Sequence, residues 1–192
     1  MRCHRVDSGL LFLCVIIFKT IVMTTSTSNA IGTFVRELEE QALVTKLFLK
    51  LVPEDKYDWQ PHPKSMKMIS LATHIAELPG WVDLVLHTDE LDFETAPYEE
   101  TPIAGNSDLL DHFERSFEKG HAALMTTNEE ELEKQWTLRS GDKLHSVSSK
   151  AEMIRTTYNQ IVHHRAQLGV YFRLLDIPVP QSFGPTADHS DF

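Results

Sequence analysis

From residue 31 onward, apolar residues recur at three- and four-residue spacings, interrupted by breaks rich in proline, glycine and aspartate. The first stretch runs from about Ile31 to Val52. Phe34, Leu38, Ala42, Val44, Leu47, Leu49 and Leu51 give it a broad apolar face, while Arg36, Glu39, Glu40 and Lys46 lie largely elsewhere. Pro53 stops it, and "PEDKYDWQPHPKS" reads as a loop. A second helix is expected after Ser65, a suitable N-cap, through "MKMISLATHIAELPGWVDLVLHTDEL". Leu71, His74, Leu78, Trp81, Val82 and Val85 share one of its faces. Pro79 and Gly80 should kink it, because Pro79 has no N–H to return to the preceding turn.

"DFETAPYEETPIAGN" connects to a third helix, which starts near Asn106 or Ser107 and carries Leu109, Leu110, Phe113, Phe117, His121 and Leu124. "NEEELEKQ" either continues it or forms a separate turn. "WTLRSGDKLHSV" has extended flanks around Ser140-Gly141-Asp142 and fits a small hairpin or an irregular excursion. The last helix opens at Ser149, where Ser149-Lys150-Ala151-Glu152 spells a capping box, and runs to about Leu175. The Pro-rich tail should lie over the helices. Four long amphipathic helices with no strand-rich region predict an all-α four-helix bundle, with a short extended excursion between the third and fourth helices. One domain, residues 30–192, accounts for it.

Residues 1–29 stand apart from that pattern. Gly9 to Phe18 is apolar but too short to cross a bilayer as a helix. Arg2, Arg5 and Ser28-Asn29-Ala30 suit an export signal, whereas Asp7 and the distance from the apolar run to Ala30 do not. A start at Met23 gives an ordinary polar N-terminus. The expected location is cytoplasmic, with export as the alternative.

Composition narrows the chemistry. A net charge of -10 and no local Lys/Arg cluster exclude a nucleic-acid surface, and no membrane is expected for the folded domain. Both cysteines, Cys3 and Cys14, lie in the N-terminal segment. The domain therefore has no disulfide, no thiolate zinc site and no cysteine nucleophile.

The histidines carry the candidate chemistry. On the last helix, positions 153, 157, 160, 161, 164, 168, 171, 172 and 175 form one face, which places His164 one turn beyond Gln160. His163 lies about 100° round the helix. His74 falls on the core face of the second helix. Two imidazoles from facing helices can converge on a zinc, nickel or iron ion, although a catalytic metal normally has three protein ligands.

"LATHIAELPGW" followed by "HHRAQLGVYFRLLDIPVPQSFGPTAD" resembles the DinB family, in the branch similar to YfiT-like proteins, over most of residues 30 to 188. That resemblance implies a four-helix bundle and a divalent metal held by three histidines. One lies on the second helix and matches His74. Two lie four apart on the last helix in a pattern like N-H-x-x-H-H-R. The second matches His164, and the first falls on Gln160. Asn159, His163, Arg165 and Gln167 otherwise agree. A neutral amide is a weaker ligand than imidazole, so Gln160 is a weak third ligand or a supporting group. His163 could replace it only by twisting the helix, and Glu77, one turn after His74, could complete the shell. Arg165 is expected either to pair with Glu152 or Asp188 or to bind a substrate anion. Gln167 and Tyr171 are candidate cavity residues, Tyr171 also reading as core. Trp81 and Trp136 are expected to pack, and His121 is the other histidine that faces an apolar side.

Members of the family resemble metal-dependent transferases that use a low-molecular-weight thiol (bacillithiol, mycothiol or glutathione), or metal-dependent hydrolases. The resemblance thus implies an enzyme acting on a small-molecule substrate, with no catalytic residue assigned. The alternative is a non-catalytic bundle whose degenerate site binds a small ligand or a protein partner. Pairing into a homodimer is a further expectation.

Overall fold

The structure, a computed structural model, describes residues 29–190. The export-signal reading of the N-terminal segment falls outside them, apart from Asn29 and Ala30. The described chain is mostly helical: α1 (Ala30–Lys50), α2 (Met68–Glu77), α3 (Trp81–His87), α4 (Asn106–Thr126), the single turn α5 (Glu129–Leu132) and α6 (Lys150–Leu174). Three short strands accompany them: β1 (Glu90–Asp92), β2 (Gln135–Ser140) and β3 (Lys143–Ser149).

Local chemistry sets most boundaries. The Asn29 side chain accepts from the Gly32 N–H and opens α1. Ser149 and Glu152 form the capping box of α6. "NEEEL" is a separate turn, because Asn128 caps it by accepting from the Glu131 N–H. Ser65 is not the N-cap of α2. The helix begins at Met68, and the Met68 and Ile69 N–H groups donate instead to the Trp59 and Tyr57 carbonyls of the preceding loop. The expected kink is a 3-10 turn over Leu78–Gly80 that separates α2 from α3.

The all-α expectation needs correction. β1, β2 and β3 form one sheet, with β1 parallel to β2 and β2 antiparallel to β3. The second helix, expected to reach Leu91, stops at His87, where Thr88 turns extended. Thr88 Oγ1 donates to the Leu84 carbonyl and accepts from the buried Trp136 indole N–H. Asp92 then accepts from the Gly141 and Glu94 N–H groups, which ties the β2–β3 turn to β1. Gly141 supplies the left-handed φ of 54° that this turn requires.

α1 packs on α4 and α6, and the kinked α2–α3 segment packs on the same two helices. The core has two apolar layers. One holds Phe34, Leu38, Val82, Trp136, Ile154 and Tyr158, and the other holds Phe48, Leu71, Ile75, Phe113, Leu168 and Phe172. Met68–His87 is long and apolar enough, by composition alone, to cross a membrane, but Met68, Leu71, Ile75, Val82 and Val85 are buried within these layers. Gly120 lets α4 touch the kink, since a Cβ there would overlap the Pro79 carbonyl oxygen.

The buried face of α1 also differs from the apolar pattern. Gln41 and Thr45 are buried, whereas Leu43 and Leu47 are 72% and 50% exposed. The reason is Arg165, which is 2% exposed. Its guanidinium donates to the Gln41 carbonyl (3.2 Å), Gln41 Oε1 (2.7 Å) and Thr45 Oγ1 (2.9 Å). A buried guanidinium requires acceptors, and α1 turns its polar positions inward to provide them. Along both helices this network lies between the two apolar layers.

Candidate metal centre

A neighbouring face of α6, about 100° round from Arg165, carries a second polar group at the same level. His74 on α2 and His164 on α6 approach with ring centroids 4.7 Å apart and planes at 78°. Each ring is oriented by a side chain three residues further along its own helix, a spacing that makes neighbours on a helix surface. His74 Nδ1 donates to Glu77 Oε1 at 2.6 Å, and His164 Nδ1 donates to Gln167 Oε1 at 2.9 Å. With Nδ1 protonated on both, each Nε2 carries the lone pair.

Supporting groups account for the neighbours. Glu77 is 13% exposed and takes a second hydrogen bond, from the Tyr98 hydroxyl at 3.3 Å. Burial and the Glu77 charge raise the Tyr98 phenol, which holds its proton on that bond. The Gln167 amide donates to His163 Nε2 at 3.1 Å, so the lone pair of His163 is engaged and its ring is held beside His164. Glu77 and His163 thus support His74 and Gln167, respectively. Burial lowers the His164 pKa, the Gln167 hydrogen bond opposes this, and the neighbouring His74 and His163 lower it further. A neutral imidazole is the form that ligates a metal.

His74 and Gln160 border a common pocket of about 320 Å3. The kink supplies Leu78 and Trp81 to its wall, α6 supplies Met153, Thr156 and Thr157, and the hairpin supplies Leu138, Ser146 and Ser148. Leu138 lies beside a register shift in the β2–β3 pairing, and such irregularities re-aim side chains near sites. Trp81 therefore lines the pocket, while Trp136 packs in the core as expected.

Two expected site residues lie elsewhere. Arg165 faces α1, where neutral acceptors surround it; neither Glu152 nor Asp188 pairs with it. Burial lowers its pKa to about 10, so it stays charged at neutral pH. It belongs to the core and is turned away from any substrate in this pocket. Tyr171 donates its hydroxyl to the Met66 carbonyl and packs edge-on against Trp59, 5.4 Å between centroids. His121 pairs with Glu39 across α4 and α1, away from the site.

Sequence reasoning missed Tyr98, the hairpin residues and His112. Tyr98 sits in an irregular loop, and the serines alternate on a short strand, where nothing in their pattern marks a pocket. His112 on α4 has a buried Nε2 with no partner among the described residues. Burial lowers its pKa, and the Glu77 charge opposes that shift.

The donor set can be tested against a metal. Among the described residues no group of three or more His, Cys, Asp or Glu side chains is placed to hold an ion. Two imidazoles with free Nε2 atoms and oriented Nδ1 atoms do fit a divalent ion, and carboxylate-held histidines are typical of metal ligands. Gln160 adds an amide oxygen one turn before His164. The set fits a weakly held ion of the borderline class.

The family model that describes the DinB family matches residues 23–190. Two solved structures are similar. A DinB-like protein of Bacillus subtilis shares 20% identity at a TM-score of 0.62, covering 83% of this chain and 99% of its own. A protein of Exiguobacterium sibiricum, assigned provisionally to the DinB family, shares 19% identity at a TM-score of 0.60, covering 79% of this chain and 95% of its own. At these identities the likeness shows the fold alone. No curated protein matches.

Proposed function

We propose, for a chain that belongs to the DinB family, that the four long helical segments form the family's bundle and serve a divalent-metal-dependent enzyme acting on a small molecule, by thiol transfer or hydrolysis. One observation carries this reading: His74 and His164 come from different helices, stand 4.7 Å apart, and each has its Nδ1 taken so that Nε2 is free. Those Nε2 atoms would hold zinc, nickel or iron, with the Gln160 amide as a weak third donor. When bound, such an ion supplies Lewis acidity that favours a nucleophile near neutral pH.

The chain's own residues do the rest. Glu77 fixes the His74 tautomer by accepting the hydrogen bond from its Nδ1–H. Gln167 does the same for His164 and holds His163 beside it. The apolar pocket walls would pack against a substrate held beside His74. No thiol lies in the domain, so sulfur chemistry would need a small thiol as cofactor.

Gln160 favours a second reading, a non-catalytic bundle in which the third ligand has been lost and a small ligand or partner is bound instead. Metal content separates the two. Full-length protein, freed of any chelating tag, is expected to retain about one equivalent of zinc, nickel or iron by plasma mass spectrometry. The His74→Ala, His164→Ala double variant is expected to retain none. Wild-type protein that stays metal-free after incubation with each ion overturns the enzyme reading, and a steep gain of affinity in Gln160→His would then identify a degenerate site.

A further inference from the structure

The pocket beside His74 has a lining whose chemistry restricts its ligand. Leu78, Trp81, Leu138 and Met153 provide its apolar surface. Its polar groups are the amide of Gln160, the hydroxyls of Ser146, Ser148, Thr156 and Thr157, and the His74 ring. Two of those hydroxyls are already used, since Thr156 and Thr157 donate to the Glu152 and Met153 carbonyls of their own helix. Among the described residues, no hydrogen bond engages the Ser146 or Ser148 hydroxyl or the Gln160 amide. No lysine, arginine, aspartate or glutamate lines the pocket.

The strand pairing explains how the serines reach it. Trp136 stands opposite Ser148 and Leu138 opposite Ser146, so all four lie on one face of the hairpin. That face carries Trp136 into the core and presents Leu138 and the serines to the pocket. A carboxylate or phosphate placed there would lose water and gain no side-chain cation, and an ammonium would gain no carboxylate. The net charge of -10 adds a field unfavourable to anions. An uncharged group loses little on entry and can use the free hydroxyls and amide. The volume of about 320 Å3 is at the small end for ligand pockets and fits a single ring with a short polar arm.

We propose that this pocket binds an uncharged, ring-bearing small molecule with an amide, ester or hydroxyl arm, and that Leu138, Ser146 and Ser148 of the β2–β3 hairpin select it. As a statement about substrate, this rests on reading His74 and His164 as the reacting end of the site. It assigns the pocket to the neutral substrate. An anionic thiol such as glutathione would find no lysine or arginine counter-ion among the pocket's walls.

The test uses the full chain, stripped of metal by chelator and dialysed, with phenylacetamide, phenylacetate and phenethylamine as matched neutral, anionic and cationic probes. Binding is followed by the NMR shift of the Trp81 indole N–H, assigned through Trp81→Phe. Phenylacetamide is expected to shift that resonance and to bind at least about tenfold more tightly than either charged probe. Ser146→Phe, at an exposed strand position where folding is not at stake, is expected to block the probe while leaving metal content intact. His164→Ala is expected to lose metal and keep the probe. Tighter binding of phenylacetate or phenethylamine overturns the proposal, as does the absence of any Trp81 shift with phenylacetamide. Wild-type protein that takes up metal but binds no probe fails this inference alone. Probe binding in stripped wild-type protein that then takes up no zinc, nickel or iron fails the metal reading alone.

Discussion

His74 and His164 face each other at 4.7 Å, and each gives its Nδ1 proton to the side chain three positions onward, Glu77 and Gln167. Two helices thus present their imidazoles in the same way. Replacing Glu77 by glutamine keeps the shape and removes the carboxylate charge that faces His74 Nδ1. Metal affinity is expected to fall about 10–100-fold in Glu77→Gln, measured by competition with a chelating dye. Unchanged affinity would show that Glu77 merely packs.

Arg165 gives a contrasting expectation. Arg165→Lys keeps a positive charge but lacks the fork that reaches both Gln41 and Thr45. A stability loss of about 1–3 kcal/mol is expected by urea unfolding, because a buried acceptor is left unpaired. Metal content and probe affinity should not change. A selective loss of ligand binding at unchanged stability would instead restore a substrate role for Arg165.

Gly120 is where α4 meets the Pro79 carbonyl. Gly120→Ala forces the helices apart and is expected to cost about 1–3 kcal/mol. The kink also positions Trp81, so phenylacetamide affinity should weaken in the same variant. A neutral or stabilising effect would show that the contact relaxes freely.

His112 predicts a pH dependence. Burial lowers its folded pKa below the ordinary 6.5. Between those two values the unfolded chain holds a proton that the folded chain does not, so stability rises with pH. The cost of keeping His112 neutral therefore appears as pH falls through 6.5 and levels off below its folded pKa. Urea midpoints of metal-free protein between about pH 5 and 8 should slope less steeply in His112→Gln than in wild type. Parallel slopes would show that His112 protonates freely when folded.

The cap of α6 offers a control at a distance from the site. Ser149 and Glu152 satisfy each other's backbone N–H groups. Ser149→Ala is expected to lose about 1 kcal/mol, read from the thermal midpoint, with metal binding unchanged. A drop in metal binding would couple the start of α6 to the site.

Much of the architecture is legible in the chain because helix periodicity and caps act within one turn. Phe34 and Leu38, the Pro79–Gly80 kink and the Ser149 capping box all obey local rules. The same locality explains the errors. Gln41 and Thr45 lie outside the apolar pattern of α1, and they are buried only because Arg165 arrives from α6. Arg165 read as off the core stripe because one apolar face was assumed, whereas α6 packs against both α1 and α2. β1 was read as helix and loop because its pairing partner, β2, lies more than forty residues away.

By itself the sequence determined which segments coil, and that His74 and His164 fall on two different helices, since each depends on side-chain spacing along a single turn. Only the tertiary structure decided that the two rings meet with their Nε2 atoms free, that Arg165 turns away from them, and that a hairpin supplies the pocket's serines. Those features depend on which helix faces which and on strand register, and both are set by packing between residues far apart in the chain.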